Sequence, residues 1–452
     1  MSSTPADPAS PVSPPAFRRK AVLATGVGNF MEWFDFAVYG FVATTIGQVF
    51  FPTDDPTVSL LSALAVFGVA FFFRPVGGFV FGWVGDRFGR RPALATSIIL
   101  MGVSTTLIAL LPSYETVGIV APVLLVLLRC VQGVSAGGEW TGSSTFLIEQ
   151  APQDKRGLAS SVISMTAALA GAVGGLVGLT LSLTLSDDAM LAWGWRIPFL
   201  VAAPLTAIGL YLRIRLDETP VYRNLQRQQR VTTTPLRRAG KENLQQIGLV
   251  FAAASVIGLG YYYLVTFAVS YLTETSGFDP TTALVLTSVG LLVYAALCPC
   301  VGMLSDRIGR RPTMIGGCAA MALFGVPAFG LMSQGVIVLA LLGLVLLGIA
   351  EALANVTSVV LLAELFPDAT RVSGASVGYN LALAIVAGPG PFLGGWLVAS
   401  TGLSISPAFY LCGVALLAGV ALWRYLPETR ESTLSAVAEE PVGVTRPQPM
   451  AP

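Results

Sequence analysis

Long apolar runs dominate the chain. Twelve of them, at roughly 21–46, 58–82, 93–111, 118–148, 158–185, 196–214, 246–272, 282–303, 313–332, 335–363, 373–399 and 406–426, approach or exceed the ~20 residues that a helix needs to cross a bilayer. Short polar connections separate most of them. The pattern predicts an all-α membrane protein with twelve transmembrane helices and little structure outside them. A few runs are interrupted by polar residues at helical spacing, and those residues carry the chemistry discussed below.

One connection is written twice. Gly82-Trp83-Val84-Gly85-Asp86-Arg87-Phe88-Gly89-Arg90-Arg91-Pro92 returns 220 residues later as Gly302-Met303-Leu304-Ser305-Asp306-Arg307-Ile308-Gly309-Arg310-Arg311-Pro312. The first glycine lets two helices approach, the aspartate can accept from an arginine or a helix N-terminus, and the second glycine permits a tight turn. A second correspondence follows the fourth and tenth runs, where Glu149 and Glu364, and Arg156 and Arg371, are each 215 apart. The chain therefore reads as two six-helix halves in parallel repeat. The expected division is a disordered tail at 1–17, a first half at 18–215, a cytoplasmic linker at 216–245, a second half at 246–428 and a disordered tail at 429–452. Asp86, Arg87, Arg90, Asp306, Arg307, Arg310, Glu149, Arg156, Glu364 and Arg371 read as gate or latch residues.

Composition agrees with this picture: 54% of the residues are hydrophobic and 11% charged. Charge placement sets the orientation. Of the 26 Lys and Arg, Arg74 and Arg129 fall inside runs and Arg196 sits at the outer end of the sixth. All the others lie at the N-terminus, in even-to-odd connections or at the C-terminus. The opposite connections carry acids but no Lys or Arg. The positive-inside rule then places both termini in the cytoplasm. A net charge of +1 implies no attraction to nucleic acid. Cys130, Cys298, Cys300, Cys318 and Cys412 lack metal spacing and read as packing residues. No cofactor, no obligate protein partner and no cleaved signal peptide is expected.

The first run carries Glu32 and Asp35 about 15 Å in, on one helix face with Asn29 and Tyr39 nearby. Carboxylates at that depth are costly and mark functional sites. Arg74 in the second run needs a counter-charge, and Glu32 or Asp35 is the candidate. The ion pair could serve substrate and proton or simply join two helices. In the fourth run Arg129, Gln132, Ala136 and Glu139 follow 3-4-3 spacing, one stripe facing a water-filled cavity. The chain has no histidine, so a proton relay must use carboxylates, with Glu139 first. The seventh run carries Tyr261-Tyr262-Tyr263, of which one or two can reach such a cavity. The tenth run buries Glu351 with Asn355 one turn on. Gly388-Pro389-Gly390-Pro391 predicts a kink in the eleventh.

Two six-helix halves with duplicated loops resemble the major facilitator superfamily. More narrowly, Gly28-Asn29 with Met31-Glu32-Trp33-Phe34-Asp35, Arg74-Pro75-Val76-Gly77-Gly78, Gln132-Gly133 with Gly137-Gly138-Glu139, and Trp193-Gly194-Trp195-Arg196-Ile197-Pro198-Phe199 resemble its metabolite:proton symporter family. The chain looks most similar to the family's proline/betaine transporters, through Val38-Tyr39-Gly40-Phe41-Val42-Ala43, Glu139-Trp140-Thr141-Gly142 and the tyrosine-rich seventh run. The resemblance implies a bacterial inner-membrane symporter with a small organic solute and protons as its partners and the lipid bilayer around it. Two departures stand out. Position 129 is Arg where a Lys would be expected, and the sequence shows no heptad coiled-coil tail, so osmotic switching is not implied.

These readings converge on proton-coupled symport by alternating access. For a zwitterion, Arg129 or Arg74 would meet the carboxylate, and Trp33, Tyr39, Trp140 and Tyr262 would face the cation. Gln132 and Asn29 complete the candidate substrate site, and Glu139, Asp35 and Glu32 the proton site. A proton symporter of an organic acid such as 2-oxoglutarate, citrate or shikimate stays open, because Arg clamps carboxylates bidentately. A drug exporter is disfavoured, since the fifth run reads Ala170-Gly171-Ala172-Val173-Gly174-Gly175 without proline. A sensor would need a signalling domain, and an enzyme a nucleophile–base or metal set, and neither is visible.

Overall fold

Residues 15–214, 240, 242–368 and 370–432 are described in a computed structural model of the chain. Most of the tails at 1–17 and 429–452 and of the linker at 216–245 lies outside them. Every regular element among the described residues is helical. In chain order the main helices are α1 (Pro15–Phe41), α2 (Ala43–Phe50), α3 (Pro56–Phe88), α4 (Arg90–Ala109), α5 (Val120–Ala136), α6 (Glu139–Gln150), α7 (Arg156–Thr184) and α8 (Ile197–Ile214). They continue as α9 (Leu244–Tyr262), α10 (Ala268–Glu274), α11 (Pro280–Ile308), α12 (Arg310–Met332), α13 (Ile337–Glu364), α14 (Arg371–Ala382), α15 (Gly390–Thr401) and α16 (Ser406–Tyr425). Ten helical stretches, all lying between Pro56 and Tyr425, are long and apolar enough to cross a membrane. The chain is a multi-pass membrane protein.

Several expected spans are broken. The run at 21–46 divides at Val42, whose N–H still donates to Val38 O at 3.1 Å, so the chain bends without losing the bond. The run at 118–148 divides at Gly137-Gly138. Cβ atoms on Gly133 and Gly137 would collide with the backbone of α3, so this close approach requires glycine. A π-turn at Tyr263–Phe267 joins α9 to α10, and another at Leu383–Ala387 precedes Pro389 and the start of α15. The second is the kink that Gly388-Pro389 predicts; the first has no proline near it.

The duplicated loops fold alike. Gly89 and Gly309 hold φ near 116° and 105°, a backbone that favours glycine, and each joins two helices at a sharp corner. The long helices before them also begin alike. Asp55 accepts from Thr57 N at 2.8 Å and Asp279 from Thr282 N at 2.9 Å, each just ahead of a proline at the first helical position.

Within the first set of helices α3 packs on α5, α1 on α7 and α4 on α8; within the second α11 and α12 pack on α13, α12 on α16 and α9 on α14. The two sets meet along α7 with α11, α7 with α13 and α3 with α14. This seam runs from the face carrying the duplicated loops to the opposite face, and the polar residues gather along it.

Candidate functional site

Arg74 is completely buried in α3. Its Nη2 donates to Glu32 Oε1 and to Ala136 O, both at 3.0 Å, and its Nε to Asn380 Oδ1 at 3.4 Å. Nη1 has no hydrogen-bond partner. Glu32 is thus the counter-charge, and Asn380 of α14 ties the pair to the second set. Asn380 also donates to Gly137 O at 2.6 Å.

Aromatic rings from both sets surround this pair. Trp33 lies edge-on to Tyr261 at 4.6 Å and to Trp140 at 5.2 Å, and 6.1 Å from Tyr262. Trp140 stacks on Tyr379 at 5.9 Å. Tyr262 leans on Phe71 at 4.7 Å. Three polar ring atoms here, Trp33 Nε1, Trp140 Nε1 and Tyr262 Oη, are buried without a hydrogen-bond partner. Buried donors of this kind normally find one.

Arg129 stands apart from that cluster. Its guanidinium lies 4.1 Å from the Tyr39 ring centre, and Nη1 donates to Gln132 Oε1 at 2.9 Å. Gln132 Nε2 donates to Thr105 Oγ1 at 2.6 Å, and Thr105 donates to Asp35 Oδ2 at 2.6 Å. A chain of hydrogen bonds thus joins Arg129 to Asp35. Arg129 Nε and Nη2 have no partner. Tyr39 is a platform rather than a donor to this site, since its hydroxyl is committed to Ala63 O at 2.9 Å. The Asn29 amide nitrogen is also committed: Nδ2 donates to Ile163 O at 2.8 Å and Thr166 Oγ1 at 2.9 Å, fastening α1 to α7, while Oδ1 is buried without a hydrogen-bond partner.

Glu32, Asp35 and Glu139 line one small cavity of about 10 Å³ with Ser97, Ser135 and Thr206. That is near the minimum for one water, much tighter than the open cavity expected of the stripe on the fourth run. The reason is the break at Gly137-Gly138. Glu139 begins α6, where Ser97 Oγ donates to it at 2.8 Å and Ser143 Oγ at 3.0 Å. Arg129 and Gln132 end on α5 and turn to Thr105 instead.

On the duplicated-loop face the predicted latch residues pair crosswise between sets. Arg371 Nη1 donates to Glu149 Oε1 at 2.8 Å, and Arg156 Nη1 to Glu364 Oε1 at 3.3 Å. Asp306 accepts from the N–H of Gly157 at 2.8 Å and of Leu158 at 2.9 Å, capping α7, and from Arg310 Nη1 at 2.9 Å. Arg310 Nε also reaches Glu364 at 3.4 Å. Asp86 accepts from Ser373 Oγ on α14. The Arg87 guanidinium sits 5.2 Å from the Trp83 ring, and Arg307 offers its carbonyl to Arg430 at 2.8 Å. Arg90's side chain lies outside the described residues. Thr429 Oγ1 donates to Glu364 at 2.6 Å, so the end of the described chain lies across this face. At the opposite end a cavity of about 210 Å³ opens between α3, α10 and α15, lined by Leu61, Phe267, Tyr271 and Glu274 among others.

Reasoning from the sequence missed Tyr379, Asn380, Ser373 and Ser376. Their one signal was a string of polar residues in the first half of the run at 373–399, which resembles ordinary small-residue packing. Thr141 and Ser376 share a hydrogen bond of 2.6 Å across the seam.

Residues 21–248 match the family model for "Sugar (and other) transporter" and residues 250–451 that for "Major Facilitator Superfamily". The chain is 40% identical over 430 residues to the glycine betaine/proline/ectoine/pipecolic acid transporter OusA of Dickeya dadantii, covering 92% of this chain and 84% of that protein. It is 39% identical over 428 residues to the proline/betaine transporter of Escherichia coli K12, covering 89% and 83%. Among solved structures it is similar to the proton:xylose symporter XylE bound to 6-bromo-6-deoxy-D-glucose, with a TM-score of 0.75 at 21% identity, covering 93% of this chain and 98% of that one.

Proposed function

The chain belongs to the major facilitator superfamily, and on that premise we propose that it takes up small zwitterions of the proline and glycine betaine type together with protons. It is a transporter and not an enzyme. Its relatives carry the names of bacterial proline and betaine carriers, which fits a place in the inner membrane. In this reading α1 with α2, and α8, complete twelve spans in two six-helix halves, 18–215 and 246–428, joined by a cytoplasmic linker at 216–245. Both termini and the duplicated loops then face the cytoplasm.

One observation carries the substrate reading: a buried arginine with an unpartnered Nη1, enclosed by aromatic rings contributed by both sets. A zwitterion needs both features at once. Its carboxylate would meet Arg74 at Nη1, and its ammonium would face Trp33, Trp140 and Tyr262, with Tyr379 behind Trp140. The Phe36 and Phe71 rings, each 5.6 Å from the Arg74 guanidinium, support a site of the size of a small solute. Arg129 and Gln132 border the same region through Phe36 and Phe67, which lie between Arg129 and the aromatic cluster.

Glu139, Asp35 and Glu32 share one small cavity, and a proton held there needs no histidine. Glu32 belongs both to this space and to the Arg74 pair. A proton on Glu32 would free Arg74 for the substrate carboxylate, which supplies a direct link between the two passengers. The ion pairs at the duplicated-loop face hold the cytoplasmic side shut, and rocking of the halves would break them in turn. No obligate protein partner is needed for this cycle.

The second reading, an organic-acid symporter, draws on Arg129, whose Nε and Nη2 also lack partners. Uptake of labelled proline, glycine betaine and 2-oxoglutarate into proteoliposomes, with and without an inward proton gradient, tests both. Gradient-driven accumulation of proline or betaine is the expected result. Accumulation of 2-oxoglutarate alone would overturn it in favour of the second reading.

A further inference from the structure

Glu351 lies in the middle of α13 with its side chain completely buried. Asn355 Nδ2, one turn on, donates to Oε1 at 2.8 Å. Oε2 has no hydrogen-bond partner. The titratable groups close enough to feel its charge are Tyr261 on α9 and Tyr294 and Cys298 on α11. No Lys or Arg among the described residues forms an ion pair with it. Space for the carboxyl is made by Gly260 of α9, where a Cβ would collide with Oε2. A carboxylate buried in this way is tolerated only when a proton or another cation joins it.

Its surroundings also connect it to both moving parts. Asn355 Oδ1 accepts from Ser164 Oγ of α7 at 2.8 Å, and one residue on Val356 O accepts from Ser160 Oγ at 2.9 Å. The amide that answers to Glu351 on one side therefore holds the first helical set on the other. On α9, Gly260 touches Glu351 while the next residue, Tyr261, packs against Trp33 at 4.6 Å. The π-turn begins two residues later, at Tyr263. A change of charge at Glu351 thus reaches the seam through Asn355 and the aromatic cluster through one turn of α9.

We propose that Glu351 is a second proton-binding site, in the second helical set, whose occupancy is coupled through Asn355 to the α7–α13 contact. The proposal rests on the reading of the chain as a proton-coupled transporter, but its first test does not need transport. The step is a simple protonation: a proton from water adds to Oε2, and Oε1 keeps its bond from Asn355. The ionised form leaves Oε2 facing Gly260 and the phenol rings with nothing to neutralise it.

Infrared difference spectroscopy of the purified protein in nanodiscs, titrated with acid and alkali, reads protonated carboxyls directly. The expected result is a buried-carboxyl C=O band that titrates in the wild type and is lost in Glu351→Gln. Asn355→Leu, which keeps the carboxyl, should retain that band and move the pH at which it titrates; this keeps the test open if Glu351→Gln folds poorly. An unchanged band in Glu351→Gln, or a pH response in Asn355→Leu identical to wild type, would overturn the proposal. So would loss of the band on adding sodium ions at constant pH, which would mean a metal cation and not a proton joins the carboxylate. Proteoliposomes then read the coupling: Glu351→Gln should keep solute exchange and lose the pH dependence of uptake. Transport dead in the wild type with the band intact would sink the symporter reading and leave the proton site standing.

Discussion

The two helical sets share a loop sequence and a backbone plan but divide the chemistry unequally. Between the two faces, the first set buries Glu32, Asp35, Arg74, Arg129 and Glu139, and the second buries Glu351. The first set's charges are answered within itself: Arg74 by Glu32, and Arg129 by the relay through Gln132 and Thr105 to Asp35. The second set answers with neutral groups, Asn380, Tyr262 and Tyr379. Among the described residues, hydrogen bonds, ring contacts and apolar packing, such as Gly171 against Leu291 and Val265, therefore cross the seam at mid-depth without an ion pair. At the duplicated-loop face the reverse holds, and full ion pairs cross it. The ion pairs that cross the seam thus sit at one end of it, and the centre is held by neutral contacts.

The sharpest way to break this comparison is to remove one partner from each side of the same contact. Arg74→Ala leaves Glu32 buried without its counter-charge, a loss of about 3–5 kcal/mol. We expect no measurable uptake and a clearly lower melting temperature in detergent. Asn380→Ala removes one neutral partner, worth about 1 kcal/mol, and should keep folding and most uptake. Equal damage from the two substitutions would mean that the second set carries as much of the central electrostatics as the first.

Next in size is the proton. Glu139→Gln should abolish accumulation against a gradient while leaving exchange of labelled for unlabelled solute, because one of Ser97 and Ser143 can donate to the amide oxygen and the other accept from the amide nitrogen. Accumulation retained in that variant would remove Glu139 from the carriers and leave Asp35 and Glu32. The outcome sets the first set's carboxylates against Glu351 in the second as the place where coupling energy enters.

The ion pairs at the duplicated-loop face are the third comparison. Glu364 accepts from Arg156, Arg310 and Thr429, whereas Glu149 accepts from Arg371. Each charged hydrogen bond contributes about 1.5–3 kcal/mol, so Glu364→Gln should loosen the closed face more than Glu149→Gln. Labelling of a Ser373→Cys reporter, buried at the seam, by a membrane-impermeant maleimide from the loop side measures this. Faster labelling in Glu149→Gln would reverse the ranking.

Much of the crosswise pairing at the duplicated-loop face was legible because it is written twice. A sequence copied at fixed offset exposes Glu149, Arg156, Glu364 and Arg371 as a set, and their crosswise pairing follows from the symmetry of two similar bodies meeting face to face. The Arg74–Glu32 pair was also legible, since a buried guanidinium leaves few choices. Asn29 and Tyr39 also make bonds that the spacing could not show. Polar residues on the right face of a helix bond whatever backbone packs beside them, and Ile163 O and Ala63 O were not visible from spacing. Glu139 lay on the predicted stripe but beyond a break that two glycines made, and no periodicity survives such a break. Tyr379 and Asn380 were missed because their partners lie in the other half of the chain.

The smallest effect tests whether both sets touch the solute at all. A ring facing a quaternary ammonium contributes about 0.5–2 kcal/mol, which is roughly a two- to thirtyfold change in apparent affinity. Trp140→Leu should raise the KM for glycine betaine within that range. The KM for proline should rise less, because its ring ammonium can also donate hydrogen bonds and depends less on the aromatic faces. Tyr379→Leu is the informative partner. Tyr379 stacks parallel to Trp140 at 5.9 Å from the opposite set, so it either meets the solute's cation in turn or only steadies the Trp140 ring. A selective rise in the betaine KM in both variants means the solute bridges the sets and its binding energy can draw them together. An equal rise for betaine and proline in Tyr379→Leu means that this tyrosine holds Trp140 in place, and that the second set acts on the solute chiefly as a lid.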